Sequence, residues 1–219
     1  MSSPSATTEE QFLLQKIARG LGSGNVDHRV WDGDFSDQDG APAFPSLGQT
    51  VASLESAGAI LLIGANPRKE HPIINHRLRK AENGGAKVMA INSMVYDLNY
   101  RLYEHIIAAP ASMAEAVRNI NGRSNQGKSV LAALTDADEA LILLGPSVAA
   151  HPDGSAVRAA AAALAAKTGA RLGQLPLGAN AGGAWLAGAV PHRGAGGRKT
   201  DNAGRDALAM VGQGQSQSL

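Results

Sequence analysis

The 219-residue sequence contains no cysteine. Disulfides, iron–sulfur clusters and cysteine-ligated zinc are therefore excluded within this chain. Aromatic residues make up 4%, against 44% hydrophobic residues in all. A core can be buried, but it must be built from small aliphatic side chains. Charge of one sign is also missing, since the formal net charge is +1. That balance leaves no electrostatic footprint for nucleic acid or an anionic membrane surface. Arg and Lys do cluster over 68–80, where a solvated helix face explains them. No apolar run approaches the roughly 20 residues that span a bilayer. The segment Met1-Ser2-Ser3-Pro4-Ser5-Ala6 lacks a basic region followed by an apolar one, so no secretory signal is visible. These absences read as a cytoplasmic, soluble chain, or one held at a membrane by partners without direct insertion.

What is present is a strand–helix alternation. Thr7-Thr8-Glu9-Glu10 fits a capping box, with Thr7 as N-cap and Glu10 at N3. Leu13, Ile17 and Leu21 then recur at helical spacing beside Phe12 and Leu14. Gly20 and Gly22 end that helix, Gly22 being the expected left-handed residue. Residues 23–48 are rich in Gly, Asp, Ser and Pro and read as one long loop, a length that points to function or to packing on a partner. Residues 49–56 read as a short helix. Ala59–Ile63 is continuously apolar, as suits a strand buried on both faces. A helical stripe over 71–82 follows and is stopped by Gly84-Gly85, and residues 87–91 form a second buried strand. Together they make a βαβ unit with an expected right-handed crossover. Further on come a short strand at 105–108, helices from Ser112 and over 130–134, a strand at 139–144, an Ala-rich helix over 155–168 and a strand at 171–175. The expected fold is α/β: a Rossmann-like, doubly wound, mainly parallel sheet with helices on both faces. The domain is expected over residues 1–193. From Gly194 the composition turns polar and Gly-rich, and 194–219 reads as a flexible tail with one helical turn near 206–210.

Few constellations carry chemistry. Gly64-Ala65-Asn66-Pro67 ends the first strand where open α/β sheets place their binding crevice. Gly64 lets the chain turn, Asn66 can cap or meet a ligand, and Pro67 blocks strand continuation. Gly178-Ala179-Asn180-Ala181-Gly182-Gly183 could cradle an anion, but its spacing is not a dinucleotide fingerprint, and close helix packing is the plainer reading. The six histidines are scattered, without metal-ligand spacing, and read as surface or capping residues. Gly145-Pro146-Ser147 is not a nucleophile elbow. Asp136, Asp138 and Glu139 read as a solvated edge or a helix start. Trp31 and Trp185 read equally as contact anchors or core.

The ordered string of Asn66-Pro67, His71-Pro72, a basic amphipathic helix and Gly85-Ala86-Lys87-Val88 resembles the molybdopterin oxidoreductase domain. It is most similar to the non-catalytic relative of that domain in the large iron–sulfur subunit (the G, or 75-kDa, type) of respiratory NADH:quinone oxidoreductase, complex I. Asn25-Val26-Asp27-His28-Arg29, Asp34-Phe35-Ser36 and the 178–183 run extend the likeness over roughly residues 2–193. In the molybdopterin family the second strand typically ends in Asp-Pro-Arg, whose acid holds guanosine. Here Ala90-Ile91-Asn92-Ser93 stands instead, the departure expected of the complex I relative.

The resemblance implies a structural, non-redox segment of an enzyme that passes electrons from NADH to quinone coupled to proton translocation. The segment alone would be non-catalytic. Gly64, Asn66, Pro67, Gly178 and Asn180 would be vestigial cofactor-binding positions, with no metal or catalytic residue. No cofactor is expected in this chain; iron–sulfur clusters belong to the Cys-rich N-terminal part of a full subunit. Partners would be other peripheral-arm subunits, on the cytoplasmic side of the inner membrane, with the 23–48 loop as contact surface. The other reading is a molybdopterin guanine dinucleotide-binding domain of a formate-dehydrogenase-like oxidoreductase. As a fragment, the chain is expected to have incomplete sheet edges.

Overall fold

The computed structural model describes residues 1–201 and 203–216, with side chains described through 212. In chain order the elements are α1 (Thr8–Gly20), β1 (Ala59–Ile63), α2 (Pro67–Glu70), α3 (Pro72–Asn83), β2 (Lys87–Asn92), β3 (Glu104–Ile107), α4 (Met113–Arg118), α5 (Asn125–Asp136), β4 (Ala140–Leu144), α6 (Pro146–Ala149), α7 (Gly154–Thr168), β5 (Arg171–Gln174), α8 (Ala181–Ala187) and α9 (Ala207–Ser216). The chain divides into two compact units. One runs from Ser46 to Leu175; the other joins residues 1–45 to 176–219.

The Ser46–Leu175 unit holds a five-stranded sheet in the order β3-β2-β1-β4-β5. Every pairing is parallel. This is the doubly wound α/β architecture. All five residues of β1, and all five of β4, are buried, which is why these strands read as unbroken apolar runs. Alternate side chains serve opposite faces. Leu61, Ile63, Met89, Ile91 and Ile142 pack with Val117, Val130, Leu134 and Leu164 of α4, α5 and α7. Ile60, Leu62, Val88, Ala90 and Leu143 pack with Ile74, Leu78 and Ala81 of α3 and with Leu54. The short helix read over 49–56 is a 3-10 turn, Ala52–Ser56, whose Glu55 pairs with Lys80 at 2.6 Å and also with Arg77. Strand order reverses between β1 and β4, so the switch point lies at their carboxyl ends.

In the second unit the capping box on α1 forms as expected, with Thr7 accepting from the Glu10 N–H and Glu10 from the Thr7 N–H. Gly22 follows in the left-handed region at φ 85°. The helix nevertheless turns the opposite face inward from the one its apolar spacing suggested. Gln11 and Gln15 are buried, while Leu13, Ile17 and Leu21 are exposed. The cause is local polarity. Gln11 bonds the Ser2 hydroxyl and the Ser3 carbonyl, and Arg19 donates to the Val190 and Arg193 carbonyls at 3.0 and 2.9 Å. Long polar side chains satisfy buried loop carbonyls that an apolar face would leave unpaired.

Residues 23–48 are irregular but for a 3-10 turn at Gln38–Gly40. Residues 194–200 fold back on 190–193, with Gly194 N–H donating to the Arg198 carbonyl at 2.7 Å. The helical turn expected near 206–210 is a longer helix, α9, and the last three residues of the expected tail, with Asn202, lie outside the described residues.

Candidate functional site

The chemistry of the switch point is set by hydrogen bonds already made. Gly64 takes φ +61°, its N–H donates to the Ile91 carbonyl at 2.9 Å, and its carbonyl accepts from Ser147 at 3.1 Å. Ala65 is held at both ends by one side chain. Asn92 Oδ1 accepts the Ala65 N–H at 3.0 Å, and its Nδ2 donates to the Ala65 carbonyl at 3.3 Å. The Asn66 N–H donates to the Glu70 carboxylate at 2.8 Å. Each backbone N–H from Gly64 to Asn66 thus has a partner within this unit, and Pro67 has none to give. A phosphate cradle depends on free N–H groups; this turn presents none.

The space against the turn is occupied as well. An ideal Cβ on Gly64 would stand 2.9 Å from Val148 Cγ2. One on Gly145 would run into the Gly64 carbonyl and Ala65, because Gly145 donates its N–H to the Ile63 carbonyl at 2.8 Å and draws β1 and β4 together. Gly64, Ala65 and Pro67 are buried and Asn66 is half-buried. One group at the turn is left open: the Asn66 amide oxygen is shielded from solvent and accepts no hydrogen bond among the described residues. The decisive residues besides Asn66 are Asn92, Glu70, Gly145 and Val148. Of these, the sequence marks out Asn92, as the place where an acid is missing, and gives Gly145 no part in the site. A cavity of about 440 Å³ lies elsewhere in this unit, at the edge-strand end, lined by Ile107, Ser112, Glu115, Asn119 and Ser124 among others.

Gly178 and Asn180 belong to the other unit. Gly178 sits at φ +95°, and a Cβ there would meet the Pro4 ring at 2.7 Å. The Asn180 N–H donates to the Pro4 carbonyl at 2.9 Å, and its amide donates to the Ala6 carbonyl at 2.8 Å. A Cβ on Gly183 would collide with the Asn180 amide and the Thr8 hydroxyl. The 178–183 run therefore packs the amino-terminal segment against α8, in line with the plainer reading.

The same unit contains a polar cluster. Asp27 is fully buried and grips Arg29 by two bonds of 2.9 Å, to Nε and Nη2. Its carboxylate also accepts backbone N–H groups of His28, Arg29 and Ala207. The Arg29 guanidinium lies 4.4 Å from the Phe35 ring centre and 5.3 Å from that of Trp185. Trp185 meets His192 edge-on at 5.1 Å. Trp185 is thus core, whereas Trp31 is exposed. His28 and His192 correct the surface reading of the histidines. Both are buried; His28 Nδ1 is bonded to the Ala189 carbonyl at 2.9 Å, and neither ring nitrogen of His192 has a hydrogen-bond partner among the described residues.

Burial, reinforced by the Arg29 and Arg193 cations and opposed by Asp27 and Asp39, pushes the His192 pKa down to about 4. Unfolded, a histidine titrates near 6.5. The unfolded state therefore takes up the proton first, and stability present above about pH 6.5 is lost as pH falls toward 4. His28, lowered by burial, acts with the same sign. Replacing His192→Phe should keep the ring contact and make the thermal midpoint fall less between pH 6.5 and 4 than in the parent. Equal pH slopes for the two proteins would refute this.

A sequence profile of the molybdopterin oxidoreductase family matches residues 1–206. The chain belongs to this family. Over 198 residues it is 31% identical to the G subunit of NADH-quinone oxidoreductase from Mycobacterium bovis, covering 88% of this chain and 23% of that protein. Over 95 residues it is 34% identical to the alpha subunit of F420-dependent formate dehydrogenase from Methanocaldococcus jannaschii, covering 42% of this chain and 14% of that protein. The chain thus spans less than a quarter of the length of these curated relatives. A solved structure, the formyltransferase/hydrolase complex of Methylorubrum extorquens with methylofuran, matches at TM-score 0.65 and 14% identity, over 97% of this chain and 65% of that one. That likeness concerns the fold alone. The family match establishes an oxidoreductase lineage, and no helix among the described residues is long and apolar enough to cross a membrane.

Proposed function

We propose that this chain is a structural, non-redox segment of the large iron–sulfur subunit, G type, of an NADH:quinone oxidoreductase. The observation that carries this reading is Asn92. Where the dinucleotide-binding relatives are expected to end their second strand in an acid, this chain has an amide, and both ends of that amide are bonded to Ala65. With the 64–66 N–H groups paired and Val148 and Gly145 packed against Gly64, a guanine dinucleotide finds one open partner at the turn, the Asn66 amide oxygen. Such a set is a poor fit to that group. The alignment with the NADH-quinone oxidoreductase relative is the longer, 198 residues against 95, and that with the formate dehydrogenase the more identical, 34% against 31%. On this reading NADH oxidation and the clusters lie in other polypeptide, the partners are peripheral-arm subunits, and the chain sits at the cytoplasmic side of the inner membrane without inserting. The open Asn66 oxygen is what favours the second reading, a molybdopterin guanine dinucleotide-binding domain.

The test is affinity purification of the chain tagged at its chromosomal locus, with mass spectrometry of partners and molybdenum and guanine analysis of the eluate. The expected result is co-purification with the flavin-bearing and quinone-side subunits of NADH dehydrogenase, and no stoichiometric molybdenum or guanine. Stoichiometric molybdenum and guanine without those subunits would replace the first reading by the second.

A further inference from the structure

Helix α1 is inside out. Gln11, Gln15 and Arg19, at successive turns, face their own unit, and Leu13, Ile17 and Leu21 point away at 56, 62 and 82% exposure. Phe12 and Leu14 add to the outward surface. From these exposures the patch measures about 500 Å², at the upper end of what monomeric proteins show. Inverting an amphipathic helix exposes apolar area at roughly 25 cal/mol per Å², so something else is expected to cover it.

The candidates differ in area and charge. Self-pairing of two α1 stripes would bury about 500 Å² per copy, short of the roughly 800 Å² per partner of a stable complex. A membrane surface is opposed by charge. Interfacial helices carry Lys and Arg on their polar face, but here that face is buried, Arg19 is turned to the 190–193 carbonyls and Lys16 lies over the Phe12 ring. The outward charges at the head of the stripe are Glu9 and Glu10, which an anionic leaflet would repel. What fits is a protein surface that extends past the helix, is apolar along 13–21 and carries lysine or arginine opposite Glu9.

We propose that the outward face of α1 is the docking site for such a polypeptide, another member of the oxidoreductase assembly. The partner's membership, though not the docking itself, rests on the function proposed above.

The test places a photo-crosslinking phenylalanine analogue at Ile17 of the full chain in its own cells, with the exposed Ile73 of α3 as control site. The expected result is a cross-link to one polypeptide of the NADH dehydrogenase, at least tenfold stronger than from Ile73. The captured peptide should be apolar and flanked by lysine or arginine. Glu9→Lys should weaken the cross-link severalfold. Ile17→Glu should abolish co-purification while leaving the thermal midpoint of the isolated chain unchanged, since the side chain supports nothing within it. A peptide of that chemistry from a protein outside the dehydrogenase would uphold the docking face and remove the function reading. Cross-linking to a second copy, to lipid or to nothing would overturn the docking face, and co-purification of dehydrogenase subunits would show separately whether the function reading survives.

Discussion

Asp27→Asn is expected to destabilise the unit built from residues 1–45 and 176–219 by about 3–5 kcal/mol, the usual effect of breaking a buried ion pair from one side. Asparagine keeps the size and one acceptor oxygen. It removes the charge that holds the Arg29 guanidinium, which would be left buried between Phe35 and Trp185 with the carbonyl oxygen of Gln38 as its remaining bonded side chain. It also disturbs three backbone N–H bonds, one of which ties Ala207 to residue 27 across 180 positions of sequence. The measurement is simple, because both tryptophans, Trp31 and Trp185, belong to this unit. Their fluorescence in a urea titration reports its unfolding separately from that of the sheet. The double variant Asp27→Asn with Arg29→Met should recover part of the loss, since it removes the stranded cation. A loss below about 1 kcal/mol in the single variant would mean that Asp27 is hydrated in solution and that the cluster is not a closed core.

That cluster also marks where reading the sequence stops. The strands were legible because a run such as Ala59–Ile63 can be accommodated only between two layers, and the sheet puts β1 and β4 at its centre. Helix ends were legible where one residue carries the signal, as with Thr7, Glu10 and Gly22. The direction in which α1 faces was not. Periodicity gives a stripe, not the side it lies on, and the groups that recruit Gln11 and Arg19 are the Ser2 hydroxyl, the Ser3 carbonyl and the carbonyls of Val190 and Arg193. Burial of Asp27, Arg29, His28 and His192 was hidden for the same reason. Each is a polar residue that reads as surface or loop, and each is covered by residues distant in sequence. At the candidate site, Gly64, Asn66 and Pro67 could be picked out from the turn itself. Asn92 could be recognised only as a departure from a family pattern, because its role depends on β2 lying beside β1 in a register that pairs Ile63 with Ile91.

Gly145→Ala is expected to cost about 3 kcal/mol, the upper end of what one methyl group costs in a packed core. The backbone angles of Gly145 are ordinary, at φ −90° and ψ 175°, so strain is not the reason. The methyl would be driven into the Gly64 carbonyl and Ala65, which are backbone or short side chain and cannot swing aside. Relief requires β1 and β4 to part at their carboxyl ends, which breaks the 2.8 Å bond from Gly145 to Ile63 and strains the Asn92 clamp on Ala65. Gly20→Ala is the control. A Cβ there meets nothing within 4 Å, so removing helical glycine should be neutral or stabilise by up to about 1 kcal/mol. Circular dichroism through a denaturant titration measures both. The result bears on function as much as on stability. A switch point that resists one methyl group is closed by its own backbone, which supports the proposed reading without a dinucleotide against Gly64. If Gly145→Ala instead costs less than about 1 kcal/mol, the two strands separate easily there, the crevice can open, and the molybdopterin-binding reading gains support.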